Sequence, residues 1–149
     1  MPEQRDVQVC VVGAGPVGGA LACRLASAGI ATAIIDRAAL PPMEHPDFDG
    51  RAYAIAAGSR TVMQESGLWD RLPYTPGPIT GIRVSDGKLG RPASPLFLHF
   101  DAAEIGDAPF GWMVEARSLR MALNAHMADL PNLHVFAPAK AAVQRGPDA

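Results

Sequence analysis

The sequence predicts an α/β fold, in which a βαβ unit opens a parallel sheet and an antiparallel β segment is inserted further along. Three observations carry this. A short β-branched run, Val7, Val9, Val11 and Val12, closes on Gly13 and reads as a strand buried on both faces, like the central strands of parallel sheets. Residues 15–28 are small and apolar up to Gly29, a helix with a glycine stop. A second apolar run, 31–35, follows and ends at Asp36, which suits a parallel strand reached by a right-handed crossover.

Within the first helix, Val17, Leu21 and Leu25 fall at i, i+4 and i+8 and mark its apolar face. Residues 38–50 contain Pro41, Pro42 and Pro46 without hydrophobic period, a surface loop that returns the chain towards Arg51. Ser59 suits the N-cap of a short helix through Val62 and Met63, stopped by Gly67 before Leu68 and Trp69. A second break spans 73–78. Ile82 and Val84 alternate up to the Asp86-Gly87 pair, a hairpin signal, and 96–100 and 112–114 read as further strands, so this block is antiparallel β. In 117–129, Leu119, Ala122, Leu123, His126 and Met127 share one helical face. Residues 133–136 form the next strand, and 139–149 trail off in small and polar residues without an internal repeat anywhere.

The chain has 149 residues, 48% hydrophobic and 19% charged, which suits one globular domain. Its formal charge of −2, with Lys and Arg scattered singly, supplies no footprint for nucleic acid, so no such partner is expected. Cys10 and Cys23 lack CxxC spacing; they read as small core hydrophobes in a reduced, cytoplasmic setting, with neither disulfide nor metal. His45, His99, His126 and His134 are dispersed and read as structural or exposed. Residues 1–6 are polar and charged and run into the first strand, so no signal peptide is expected, and no apolar stretch reaches the ~20 residues of a membrane span. A soluble or peripheral protein is expected.

The chemistry sits in Gly13-Ala14-Gly15-Pro16-Val17-Gly18, set between a strand and a helix as this motif requires. Gly13 permits the tight turn, Gly15 lets backbone approach a pyrophosphate, and Gly18 lets the helix pack closely on the sheet. The helix N-terminus then faces the anion with free N–H groups and partial positive charge. Ala14, Pro16 and Val17 complete the loop and join the three glycines as cofactor-binding candidates. Asp36, 21 residues after Gly15 (36 − 15), is placed to accept hydrogen bonds from both ribose hydroxyls and to repel a 2′-phosphate. Arg37 either flanks the adenine or is a solvated loop charge. On the motif alone the nucleotide is NAD, NADP or FAD.

Three segments narrow that choice: GAGPVGGALACRLASAGIATAIIDR, DGRAYAIAAGSRTVMQESGLWDRL and GWMVEARSLRMAL. Together they resemble the N-terminal portion of the FAD-dependent aromatic hydroxylases of ubiquinone biosynthesis, the UbiH/UbiF/VisC group, similar in fold to p-hydroxybenzoate hydroxylase. The resemblance extends over nearly the whole chain and is most discriminating in DGRAYAIAAGS. It implies a Rossmann-like FAD-binding unit in which Gly13, Gly15 and Gly18 hold the pyrophosphate, Asp36 the ribose, and Arg51 reaches back to the cofactor. A guanidinium suits that reach because it offers a fixed fork of donors.

The segment Val114-Glu115-Ala116-Arg117 departs from the group's V-E-N-R, and no cofactor contact is assigned there. The resemblance further implies hydroxylation of a polyprenylated phenol, with NADH, NADPH or another reductant as electron source. It also implies peripheral contact with a membrane surface or a biosynthetic complex. No catalytic residue is named. Members of the group continue well beyond this length, so 1–149 is expected to be the N-terminal part of an FAD-binding domain. Residues 79–115 would then contribute strands toward a substrate region whose remainder is absent. The rival expectations are a nucleotide-binding fragment without catalysis and an NAD-dependent dehydrogenase.

Overall fold

A computed structural model describes residues 4–40 and 50–146. In chain order the elements are β1 (Val9–Val12), α1 (Pro16–Ser27), β2 (Thr32–Ile35), β3 (Ala52–Ala56) and α2 (Ala57–Glu65), then a single 3₁₀ turn, Trp69–Arg71. They continue with β4 (Gly77–Ile79), β5 (Gly81–Ser85), β6 (Phe97–Asp101), a second 3₁₀ turn at Ala102–Glu104, β7 (Gly111–Glu115), α3 (Ala116–Asp129) and β8 (Leu133–Phe136). The first sheet is parallel in the order β1-β2-β8, with Val9 opposite Thr32 and Thr32 opposite Leu133. The second is antiparallel, β3-β7-β4, and β5 with β6 makes a separate antiparallel ribbon. The fold is thus the α/β class expected, with a parallel βαβ start and an inserted antiparallel block.

Local expectations change where tertiary contacts decide. The buried face of α1 is Gly19, Ala22, Cys23 and Ala26; of the expected positions Leu25 is half-buried and packs against the core, while Val17 is 84% exposed and Leu21 is exposed. The helix lies close to α3: a Cβ on Gly19 would come 3.1 Å from Leu123 Cδ2. Such an approach admits only small side chains, so Val17 and Leu21 are displaced to the flank. There Val17, Leu21, Val62 and Leu119 line an open apolar groove.

The first strand is also not buried on both faces. Val11 is buried, but Val12 is 67% exposed and Cys10 is exposed, because β1 is the edge of its sheet and only one of its faces meets α1. The expectation that Cys10 is a core hydrophobe is therefore corrected. Cys23 is fully buried, and burial pushes its thiol up to about 12 against a smaller opposing pull from Arg71. A thiol there stays protonated and unreactive. Maleimide at neutral pH is expected to label Cys10 in the native protein and Cys23 only after unfolding; rapid native labelling at Cys23 would contradict this burial.

Three further expectations are corrected. The helix expected from Ser59 starts at Ala57 without a side-chain cap, since β3 runs straight into it and Ala57 N–H donates to Phe110 O at 3.3 Å. Part of the 73–78 break is ordered as β4, which pairs with β7. The Asp86-Gly87 pair does not form a two-residue hairpin: β5 and β6 are joined by the longer segment 86–96, closed by Ser94 N–H on Asp86 O at 2.9 Å. The predicted proline loop falls largely on 41–49, outside the described residues, as does His45.

The α3 face is as expected, with Leu119, Ala122, Leu123, His126 and Met127 all buried. His126 carries a specific bond: Nε2 lies 2.6 Å from Ser66 O and donates to it, which ties α3 to the end of α2. His126→Phe keeps the ring volume and leaves that carbonyl bare. It is expected to lower stability by about 1–3 kcal/mol, the usual cost of a buried unsatisfied group. Unchanged denaturant midpoints would show that the bond contributes nothing.

Candidate functional site

The site is built where β1 hands the chain to α1. Gly13 turns at φ +108, a conformation that favours glycine, and its N–H donates to Ile35 O at 2.7 Å, pinning the turn to β2. Gly15 is the N-cap residue of α1 and provides no side-chain cap, Pro16 follows as the first helical residue, and the first turn holds no acidic side chain. Pro16 has no N–H, so the amides of Gly15, Val17 and Gly18 stand at the helix N-terminus ahead of the bond from Gly19 N–H to Gly15 O, 2.8 Å. A Cβ on Gly15 would meet nothing within 4 Å, whereas one on Gly18 would lie 2.0 Å from Gly13 O. The two glycines thus serve different needs: Gly15 faces open space, and Gly18 is required by packing within the chain.

Asp36 ends β2 beside this loop. Oδ2 accepts from Ala14 N–H at 2.7 Å and Oδ1 from Ala38 N–H at 2.9 Å. These two bonds, Ala38 first, hold the carboxyl below the usual Asp range against an opposing desolvation, with smaller help from the charges of Arg120 and Arg37. Each oxygen keeps lone-pair capacity for a further donor. Asp36 main chain is also braced, N–H to Phe136 O at 3.0 Å and O from Ala139 N–H at 2.7 Å. An open cleft of about 480 Å³ lies against Gly13, Asp36, Arg37, Ala139 and Lys140.

The structure therefore brings together Gly13, Ala14, Asp36 and Arg37, with Gly15, Pro16, Val17 and Gly18 at the adjoining helix end. Arg51 is not among the residues lining the cleft; it precedes β3 on the antiparallel sheet, where its carbonyl accepts from Ala116 N–H at 3.0 Å. Sequence reasoning missed Ala139 and Lys140, which sat in a segment read only as a polar tail. It also missed the Ala14 amide as the partner of Asp36, for which no side-chain pattern could have signalled. Among the described residues there is no group of three or more His, Cys, Asp or Glu able to hold a metal.

A strand, a glycine loop, a helix whose N-terminus is open to an anion, and an acid ending the next parallel strand make up a Rossmann-type dinucleotide-binding architecture. The chain belongs to the FAD binding domain family, which it matches over residues 6–126.

Over 132 residues it is 42% identical to the ubiquinone hydroxylase UbiL of Rhodospirillum rubrum, covering 89% of this chain and 29% of that protein. It is 31% identical to the ubiquinone hydroxylase UbiM of Neisseria meningitidis, covering 86% and 28%, and 32% identical to the 3-demethoxyubiquinol 3-hydroxylase of Escherichia coli, covering 80% and 29%. The chain thus spans less than a third of the length of these relatives. Among solved structures it superposes on the Diels-Alderase PyrE3 with a TM-score of 0.65 at 21% identity, covering 94% of this chain and 27% of that one. It also superposes on p-nitrophenol 4-monooxygenase PnpA of Pseudomonas putida with a TM-score of 0.60 at 21% identity, covering 85% and 30%. At such identities the likeness speaks for the fold alone. No helix among the described residues is long and apolar enough to cross a membrane.

Proposed function

We propose that this chain is the adenosine-binding N-terminal part of an FAD-dependent aromatic hydroxylase acting on a polyprenylated phenol in ubiquinone biosynthesis. One observation carries the reading: the uncapped N-terminus of α1 and the two-handed carboxylate of Asp36 lie at the same end of the parallel sheet. The residues fit FAD. Gly15 leaves room for a pyrophosphate, and Asp36, ionised at neutral pH, has acceptors left for a ribose diol.

In this reading Gly13, Ala14, Gly15, Pro16, Val17 and Gly18 form the loop around the pyrophosphate, with donors from the amides that the helix leaves open. Asp36 accepts from the ribose hydroxyls, Arg37 flanks the adenine, and Arg51 reaches the cofactor from the antiparallel sheet. Strands within 79–115 face the substrate region. When bound, FAD would take electrons from NADH, NADPH or another reductant and activate O2 for transfer of one oxygen to the ring. The chain's own residues bind and orient the adenosine half; none is assigned to proton transfer. The polyprenyl tail of such a substrate calls for an apolar path or a membrane-surface contact.

The test is direct. The purified chain is titrated with FAD, ADP and NAD, and an extended chain of the relatives' length is assayed for phenol-dependent NADH or NADPH oxidation. FAD and ADP binding by the chain, flavin absorbance in the extended protein and its turnover support the reading. A colourless extended protein that binds NAD in preference would overturn it in favour of a dehydrogenase.

A further inference from the structure

Ala14 is only 1% exposed, yet both of its main-chain polar groups are taken by side chains from distant elements. Its N–H donates to Asp36 Oδ2 at 2.7 Å, and its carbonyl accepts from Arg120 Nη1 at 3.1 Å. Arg120 lies on α3, 106 residues further along the chain, and is itself half-buried. In a trans peptide the carbonyl and the following N–H point in opposite directions. Anchoring Ala14 C=O on Arg120 therefore directs the Gly15 N–H away from Arg120. That amide belongs to the residue whose Cβ position is open space.

On the reading given under Proposed function, which this inference extends, we propose that Arg120 is a positioning residue for the adenosine-pyrophosphate half of the cofactor. It orients the Ala14-Gly15 peptide through Ala14 C=O so that Gly15 N–H is presented to the pyrophosphate, next to the Gly13-Ala14 peptide whose N–H holds the ribose carboxylate. The role suits arginine, whose planar fork reaches a carbonyl from a fixed direction where a lysine ammonium swings freely. The Arg120 charge also helps keep Asp36 ionised.

The experiment compares the wild-type chain with Arg120→Met and Arg120→Lys by titration with ADP and with FAD across pH. Arg120→Met is expected to weaken both ligands by a similar factor, about tenfold, as for loss of one charge-assisted hydrogen bond. Arg120→Lys should recover part of that loss. In Arg120→Met the acid limb of ADP affinity should also move to higher pH, because a charge that lowers the Asp36 pKa is gone; a merely structural residue would not move it. Wild-type affinity in Arg120→Met, or weakened binding without displacement of the acid limb in either variant, overturns the positioning role alone. A wild-type chain that binds neither ADP nor FAD overturns the underlying reading and this inference with it.

Discussion

Gly18→Ala is expected to disrupt the glycine loop and abolish measurable binding of FAD and ADP. The added Cβ would sit 2.0 Å from Gly13 O, 3.2 Å from Gly13 C and 3.4 Å from Val11 Cγ1. The first of these is backbone and cannot rotate away, so either α1 lifts from β1 or the Gly13 turn opens. Overpacking of this kind costs about 1–3 kcal/mol and more where the neighbour is rigid. Gly13 cannot yield easily, since its N–H is bonded to Ile35 O and its neighbour Ala14 is held by Asp36 and Arg120. A denaturant melt should show the loss of stability. Gly15→Ala separates the two glycine roles: with nothing within 4 Å of its Cβ, it should leave the melt unchanged and weaken only binding. Equal melting of wild type and Gly18→Ala would refute the packing argument.

Asp36→Asn is expected to lower affinity for FAD and ADP by roughly 10- to 100-fold, the scale of losing charge-assisted bonds to two hydroxyls. The amide keeps one acceptor oxygen, so it can satisfy the N–H of Ala14 or of Ala38 but not both. The sign of the pH effect follows from the depressed carboxyl. Because the folded pKa lies below the ordinary Asp value, chiefly through the Ala38 and Ala14 amides, the stabilisation is complete above that ordinary value. It is lost as pH falls through the lowered folded value. Wild-type ADP affinity should therefore persist into mildly acidic solution and then fall, whereas Asp36→Asn should be weak and flat over the same range. A wild-type profile that is itself flat down to acid would remove Asp36 from the binding step.

Much of this architecture is legible in the residues. The β-branched run before Gly13, the glycine stop at Gly29 and the apolar run before Asp36 each report a local backbone preference, and the structure places β1, α1 and β2 there. The periodic face of α3 is equally plain, because five apolar or buried positions repeat over a 14-residue helix and no competing period exists. By contrast, β3 is Ala-Tyr-Ala-Ile-Ala, with little β propensity of its own; its pairing with β7 makes it a strand. Strand β4 contains Gly77 and Pro78 and is visible only through the same partner.

The candidate site divides in the same way. Gly13, Gly15, Gly18 and Asp36 were readable because a tight turn, a close approach and a strand-end acid demand particular residue types at fixed spacing. By itself, then, the sequence determined the order of strand, loop, helix and strand, and the residues that a dinucleotide site needs. The tertiary structure alone decided that α1 packs through Gly19, Ala22, Cys23 and Ala26, that Lys140 borders the cleft, and that Arg120 meets Ala14. The physical reason is that turn geometry and periodicity act between near neighbours, whereas burial and a hydrogen bond across 106 residues exist only once separate elements have packed.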